Sequence, residues 1–402
     1  MHKTDVIILG GGLIGQTLAI ALDYYGLSAA VVDPMPLQNS MTANFDGRAS
    51  AIASASGRML DMIRVGEALW PHSCAIHRIE VRDGLQKNAL DFTTAAEDEP
   101  LGRMVENRLL RQVLRERIAK AKNVTRYIPA TADIIERGAN GVCATLNDGT
   151  KLSAPLVIAA EGRNSPMRTL AGINIARWSY NHSAIISAFD HSLDHNGIAH
   201  EIFYPAGPFA LLPLLPGTRS ALVWTVDAKD AAGILALSDR AFLAEIAKKS
   251  GGILGDVKMA APRSSYPLGF HHAAHIVAER LALVGDAAHG IHPIAGQGLN
   301  LGFRDVAALV EVLVEGARLG LDLGDTQLLK RYERWRGLDT MLVSIATDGL
   351  NRLFSIPGRR ASTVRRFGLG AVQKIAPLKS LFMTEARGMN GDLPKLLQGL
   401  TI

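Results

Sequence analysis

The chain has 402 residues, enough to bury a large core and to divide into two domains. Hydrophobic residues make up 48% but aromatics only 5%, the balance of an α/β enzyme, and no stretch reaches the roughly 18 uninterrupted apolar residues of a membrane span. The net charge of +5 is uneven, because residues 351–402 carry nine Lys/Arg against Glu385 and Asp392; with no nucleic-acid-binding module and a tail studded with Leu, Ile, Phe and Met, nucleic acid is excluded and a membrane surface fits.

In chain order, Thr4-Asp-Val-Ile-Ile-Leu-Gly10 predicts an apolar strand that starts too near the amino terminus to leave room for a cleavable signal. Gly10-Gly-Gly12-Leu13-Ile14-Gly15 is a G-x-G-x-x-G turn opening a helix to about Tyr25, and Gly26 stands as its C′ residue. Leu27 to Val32 predicts a second strand, ending at Asp33. In such a unit Gly10 permits the tight turn, Gly12 lets backbone meet a pyrophosphate, Gly15 lets helix and strand pack closely, and Asp33 takes ribose hydroxyls. The motif follows a strand, precedes a helix and is answered by an acid at the right distance, which predicts a dinucleotide site.

Residues 1–75 therefore form a first βαβ unit with the Arg48 loop, and residues 76–96 begin a strand excursion into a second sheet. Residues 97–170 return to the first domain, with a helix across Asn107 to Ala121 and strands to Ile158. From 171 to 275 the strands lengthen: Ala199–Tyr204, Phe209–Leu215 and Ser220–Val226, separated by Gly/Pro turns, predict antiparallel sheet under a helix near Asp239–Lys249. Phe209-Ala-Leu-Leu-Pro-Leu-Leu215 has no polar side chain, which predicts burial on both faces, with part of the surface free to line an apolar pocket. Residues 276–350 close the first domain, and 351–402 form a basic, apolar, helical C-terminal region.

The most informative stretch lies there. Leu281 to Val284 reads as a buried strand running into Gly285-Asp286, then a glycine-rich loop, then a helix from about Leu299. The carboxylate of Asp286 suits ribityl hydroxyls, and Gly296 and Gly298 let backbone approach a flat ligand. The helix that follows aims its positive end at that ligand. A simple NAD domain has no use for a second Gly-Asp strand end some 270 residues after the first motif, so FAD is the expected dinucleotide.

Together the two motifs resemble the group A flavoprotein aromatic hydroxylases, the p-hydroxybenzoate hydroxylase type. Across almost the whole chain the likeness is to ubiquinone-biosynthesis hydroxylases of the UbiH/UbiF type. Its phrases are Asn44-Phe-Asp-Gly-Arg48, Glu106-Asn-Arg-Leu-Leu-Arg111, Phe203-Tyr-Pro-Ala-Gly-Pro-Phe-Ala-Leu-Leu-Pro213, Val223-Trp-Thr225, Tyr266-Pro-Leu268 and Gly285-Asp-Ala-Ala-His289.

The resemblance implies a Rossmann-like FAD-binding domain (1–75, 97–170, 276–350) with an inserted antiparallel substrate sheet (76–96, 171–275). It implies flavin-binding roles for Gly10, Gly12, Leu13, Ile14, Gly15, Asp33, Arg48, Asn107 and Asp286, with the loop Gly296, Gly298, Leu299 and Asn300 beneath the ring. Arg48 would neutralise pyrophosphate and Asn107 would reach the ribityl chain. Reduced flavin would give a C4a-hydroperoxide with O2, hydroxylating a polyprenylated phenol with NAD(P)H as co-substrate. Other expectations are a cytoplasmic homo-oligomer, peripheral on the inner face of the membrane, within a ubiquinone-biosynthesis complex.

Two positions depart from the family. Glu161 stands where an Asp-Gly pair is usual, so its carboxylate lies further out on the expected nucleotide surface, and His182 stands where glutamine is more frequent. The catalytic assignment stays open, with Pro293 and His292 in the flavin-site loop as the nearest candidates. Cys74 and Cys143, 69 positions apart, read as reduced thiols. His271-His272 and His289…His292 lack a third metal ligand at sensible spacing, so they read as loop and flavin-site residues.

Overall fold

The computed structural model describes residues 1–36, 45–86, 90–94, 98–290, 297–337, 383–384 and 386–402. His292, Pro293, Gly296 and the basic residues from Arg352 to Lys379 lie outside them.

The larger core surrounds a six-stranded sheet in the order 277–278, 281–283, 156–159, 6–9, 29–32, 124–127, parallel except at the first pair. Val6–Leu9, Ala29–Val32 and Leu156–Ala159 are buried at every residue, as parallel strands covered on both faces must be. The helix Leu13–Tyr24 packs against Asn107–Ile118 and the 22-residue helix Gln297–Arg318. It stops where Gly26 turns left-handed (φ +83°) and Leu27 N–H reaches back to Leu22 O. The second strand begins at Ala29, later than the expected Leu27, because Ser28 is tied to Asp5: its N–H and hydroxyl both donate to Asp5 Oδ2.

The second body is an eight-stranded sheet ordered 289–290, 257–273, 175–191, 219–227, 207–214, 198–204, 78–83, 90–93, antiparallel except where 198–204 meets 78–83. Strand alternation gives it two faces. The back face, with Ile185, Ile202, Phe209, Leu211, Leu222 and Trp224, is sealed by Ala231, Phe242 and Ile246 of two helices. The front face is only partly covered. A three-stranded sheet (49–53, 102–106, 74–76) lays Ala49, Ala51, Cys74, Ile76 and Met104 against Ala199, Leu212, Leu214 and Ala221. The expected α/β architecture with its antiparallel sheet is present.

Two further details differ from expectation. The helix of the second motif starts at Gln297, two residues before Leu299. His271 and His272 are strand residues, not loop residues, paired with Gly290 and His289. The chain's last segment is docked on the larger core. Leu396 and Leu397 are fully buried, Lys395 N–H donates to Glu311 Oε2 (2.7 Å), and Arg318 Nη1 donates to Ile402 O (2.8 Å). Both cysteines are free, and burial pushes the Cys74 thiol up to about 11, where it is inert at neutral pH. Among the described residues no helix is long and apolar enough to cross a membrane.

Candidate active site

Leu283, Ala159, Leu9 and Val32 stand level across the parallel strands. The next residues, Val284, Ala160, Gly10 and Asp33, therefore open their loops on one edge. Gly10 N–H donates to Val32 O, Ala160 N–H to Leu9 O and Val284 N–H to Ala159 O (2.7–3.0 Å). This is the carboxyl edge of a doubly wound sheet, where ligands of such folds bind.

Each glycine of the first motif has a distinct reason. Gly10 sits at φ +102°, and a Cβ there would lie 2.4 Å from Ala160 O. At Gly15 a Cβ would lie 1.9 Å from Gly10 O, so only glycine lets the helix rest on the turn. Gly12, the helix N-cap with no side-chain cap, is the reverse: a Cβ would meet no protein atom within 4 Å. That open space beside uncapped N–H groups could hold a pyrophosphate. Asp33 takes Gly11 N–H on Oδ2 (2.6 Å) and Met35 N–H on Oδ1 (2.7 Å), which holds the carboxylate at the strand end with lone pairs to spare for hydroxyl donors.

The second motif meets the first through Ile14. Its side chain fills the spaces that a Cβ would need at Gly285 (3.2 Å) and Gly302 (2.5 Å). Asp286 is exposed on the one-turn 3-10 helix Gly285–Ala287, and that turn is fixed from all sides. Gly285 N–H donates to Asp305 Oδ2, His271 Nε2 to Asp286 O, Arg168 Nη1 to Ala287 O, and Tyr332 hydroxyl to Leu283 O, all within 2.8–2.9 Å. Asp305 also bonds His289 Nε2 and Arg336 Nε, each at 2.7 Å. Burial opposes its ionisation, but His289 and Arg336 outweigh burial and hold the carboxyl below its usual range. His289 is thus a buried strut, engaged with Asp305.

Arg48 and Asn107 come together because Ala49 pairs with Glu106, and Asn107 N–H donates to Arg48 O (3.0 Å). Asn107 Oδ1 accepts from Ser50 hydroxyl (2.7 Å), while Arg48 is exposed. Asn300 is buried and struts the same strand: Ala53 N–H donates to its Oδ1 and its Nδ2 donates to Ala51 O. Its side chain therefore braces the site, beside Gly298 and half-buried Leu299. Glu161 also has a local duty. Its Oε2 accepts from Ser165 hydroxyl (2.5 Å) and Met167 N–H (3.1 Å), securing the short helix Pro166–Leu170, and burial raises its carboxyl against those bonds.

Facing these loops is the front of the eight-stranded sheet. One transverse row, set by strand register, runs Ser264, Ile186, Val223, Ala210, Glu201, Val81. All but Ala210 are only half-buried, whereas the back-face residues between them are sealed. Tyr266 flanks this row, its hydroxyl raised by burial and drawn back by nearby Arg163 and Arg48. Glu201 is the residue that sequence reasoning passed over.

An uncapped glycine turn, an acid at the next strand end and a second Gly-Asp strand end on one sheet edge have the form of a dinucleotide site, with a separate antiparallel sheet beside it. Residues 3–340 match the family model described as "FAD binding domain", and the chain belongs to that family. It is similar to ubiquinone hydroxylase UbiL of Rhodospirillum rubrum, at 45% identity over 99% of this chain and 93% of that one. It is also similar to 3-demethoxyubiquinol 3-hydroxylase of Escherichia coli, at 33% over 96% and 99%. The crystal structure of p-nitrophenol 4-monooxygenase PnpA from Pseudomonas putida shares the fold, with TM-score 0.78, 18% identity and coverage of 97% and 99%. The protein is an FAD-dependent monooxygenase of the ubiquinone-biosynthesis hydroxylase type.

Proposed function

We propose that the enzyme hydroxylates the ring of a polyprenylated phenol. The observation that carries this reading is the half-open, mostly apolar row on the front of the eight-stranded sheet, flanked by Tyr266, which lies near Arg48 and Arg163. The FAD-binding unit would comprise 1–75, 97–170 and 276–350, and the substrate sheet 76–96 and 171–275.

Bound FAD, reduced by NAD(P)H, supplies the activated oxygen. The protein's own residues do the rest. Gly10 to Gly15, with the first-turn N–H groups of Leu13 and Ile14, would receive the pyrophosphate, and exposed Arg48 would balance its charge. Asp33 would take the adenosine ribose, and Asp286 and Asn107 the ribityl chain. Backbone at Gly298–Asn300, at the start of a long helix, offers partial positive charge to the flavin ring's polar edge. Ile186, Val223 and Ala210 give a prenyl chain an apolar wall and exclude water from the ring.

Oxygen-dependent NAD(P)H oxidation by purified enzyme, stimulated by a prenylated phenol, tests the reading. Profiling quinone intermediates in a deletion strain names the ring position from the precursor that accumulates. The basic tail would hold the protein at the inner face of the membrane, as a homo-oligomer or within a biosynthetic complex. Reversing Arg359, Arg360, Arg365 and Arg366 to glutamate should abolish sedimentation with anionic liposomes while flavin content stays intact, since each cation near an anionic leaflet contributes about 1 kcal/mol.

A further inference from the structure

We infer that Glu201 receives the ring hydroxyl of the substrate, and takes its proton, on the front face of the eight-stranded sheet. The inference rests on the phenol reading above and adds the group that engages the phenol.

Glu201 sits in the strand Ile198–Tyr204, between Val81 on one side and Ala210 on the other. The neighbouring rows closer to the three-stranded sheet, through Leu212 and Ala221, are covered by Ala49 and Ala51. Glu201 stands one step beyond that cover, as the one carboxylate in a row that is otherwise apolar or hydroxylic. Its Oε1 is sealed from solvent and has no hydrogen-bond partner among the described residues, while the residue as a whole keeps part of its surface open. A buried carboxylate oxygen without a donor is unfavourable by itself, so a structure that keeps one in place commonly reserves it for a ligand. A ligand group that fits is a donor carried on an apolar body, as in a phenol.

Of the charged residues on the same strands, Asp83 shares the front face, one row further on beside Phe203, and has an interaction of its own. Glu80, Arg82 and His200 alternate with Val81 and Glu201 and project to the other face, where Glu80 pairs with Arg78, Arg82 and His200. Val81 and Ala210 bring no charge, and burial alone lifts the Glu201 carboxyl to about 7. That narrows its distance from a phenol's usual value near 10, which favours sharing or transfer of the proton. In the transfer the phenolic O–H bond breaks, the proton bonds to a Glu201 oxygen, and the electron pair stays on the ring oxygen. The ring carbons ortho and para to it become electron-rich, as attack on an electrophilic oxygen requires. Afterwards the proton returns to the product hydroxyl.

The test uses FAD-loaded enzyme without electron donor, a geranyl-substituted phenol and its O-methyl ether, and calorimetric Kd values from pH 5.5 to 8.5. Wild type should bind the phenol at least about tenfold tighter than the ether at pH 8, since the acceptor is charged. That advantage should grow as pH rises through about 7. Glu201→Gln should bind the ether as wild type does and lose both the preference and its pH dependence. Equal binding of phenol and ether by wild type, which needs no variant, overturns the assignment, as does a preference that survives in Glu201→Gln. If neither compound binds wild type, the phenol substrate class itself fails and the assignment falls with it.

Discussion

Replacing Glu201 by glutamine should stabilise the protein at pH 8 and leave it unchanged in acid. Raising a carboxyl from 4.5 to about 7 disfavours its ionised form in the folded state by roughly 3 kcal/mol. The sign follows from proton binding: between those two values the folded protein holds the proton and the unfolded chain releases it, so stability falls as pH rises. The penalty is absent below the unfolded value and complete above about pH 7. Glutamine keeps the shape, carries no charge and escapes the penalty. For a chain of this size the gain corresponds to a Tm increase on the order of 5 °C. Thermal unfolding of FAD-loaded wild type and variant at pH 8, 6.5 and 5.5 reads it, and at pH 5.5 the gain should be less than half that at pH 8. A gain that does not change with pH would mean that packing, not charge, is responsible. A loss at pH 8 would mean that the carboxylate has a partner in the folded protein, and the burial argument would be wrong.

Two glycines of the first motif should separate fold from ligand: Gly12→Val, with no protein atom near its Cβ, should fold normally and lose FAD, as circular dichroism and flavin content would record. Gly15→Ala should unfold earlier by roughly 1–3 kcal/mol, because its Cβ would overlap Gly10 O. Asp286→Ala should weaken FAD binding tenfold or more by flavin-fluorescence titration, since the carboxylate is exposed and about 1.5–3 kcal/mol attends each charged hydrogen bond. Glu161→Asp should lower stability by about 1 kcal/mol, as the shorter side chain withdraws from Ser165 and Met167, and a rise in Tm would refute the capping role.

The parts of the site that are local in sequence were legible in sequence. Strand, glycine turn and helix announce themselves at Val6 to Tyr24 and again from Leu281, because the turn's steric needs involve adjacent residues. What joins the two motifs was not legible. Ile14 fills the notch left by Gly285 and Gly302, Asn300 bonds the strand Ala49–Ala53, and Asp305 gathers His289 and Arg336. Each of these depends on which segments become neighbours, and an Ile, an Asn or an Asp carries no mark of that. Glu201 escaped for a related reason. In Ile198-Ala-His-Glu-Ile-Phe-Tyr204 the acid shares its face with Ala199 and Phe203, a pattern that signals an oddity, but only the register of three strands shows which face that is.

The wedge of Ile14 between Gly285 and Gly302 also bears on how the enzyme is made. The first half of the flavin cradle leaves the ribosome about 270 residues ahead of the strand end that completes it. At about 5–20 residues per second, that leaves it waiting roughly 15–55 s without Gly285, Asp286 or the braces from Asp305 and Arg336. The strand Val6–Leu9 waits for Leu156–Ala159 as well, with both its faces and one edge apolar and uncovered. Flavin capture therefore waits for the second motif, and newly made chains depend on whatever shields that early segment until then.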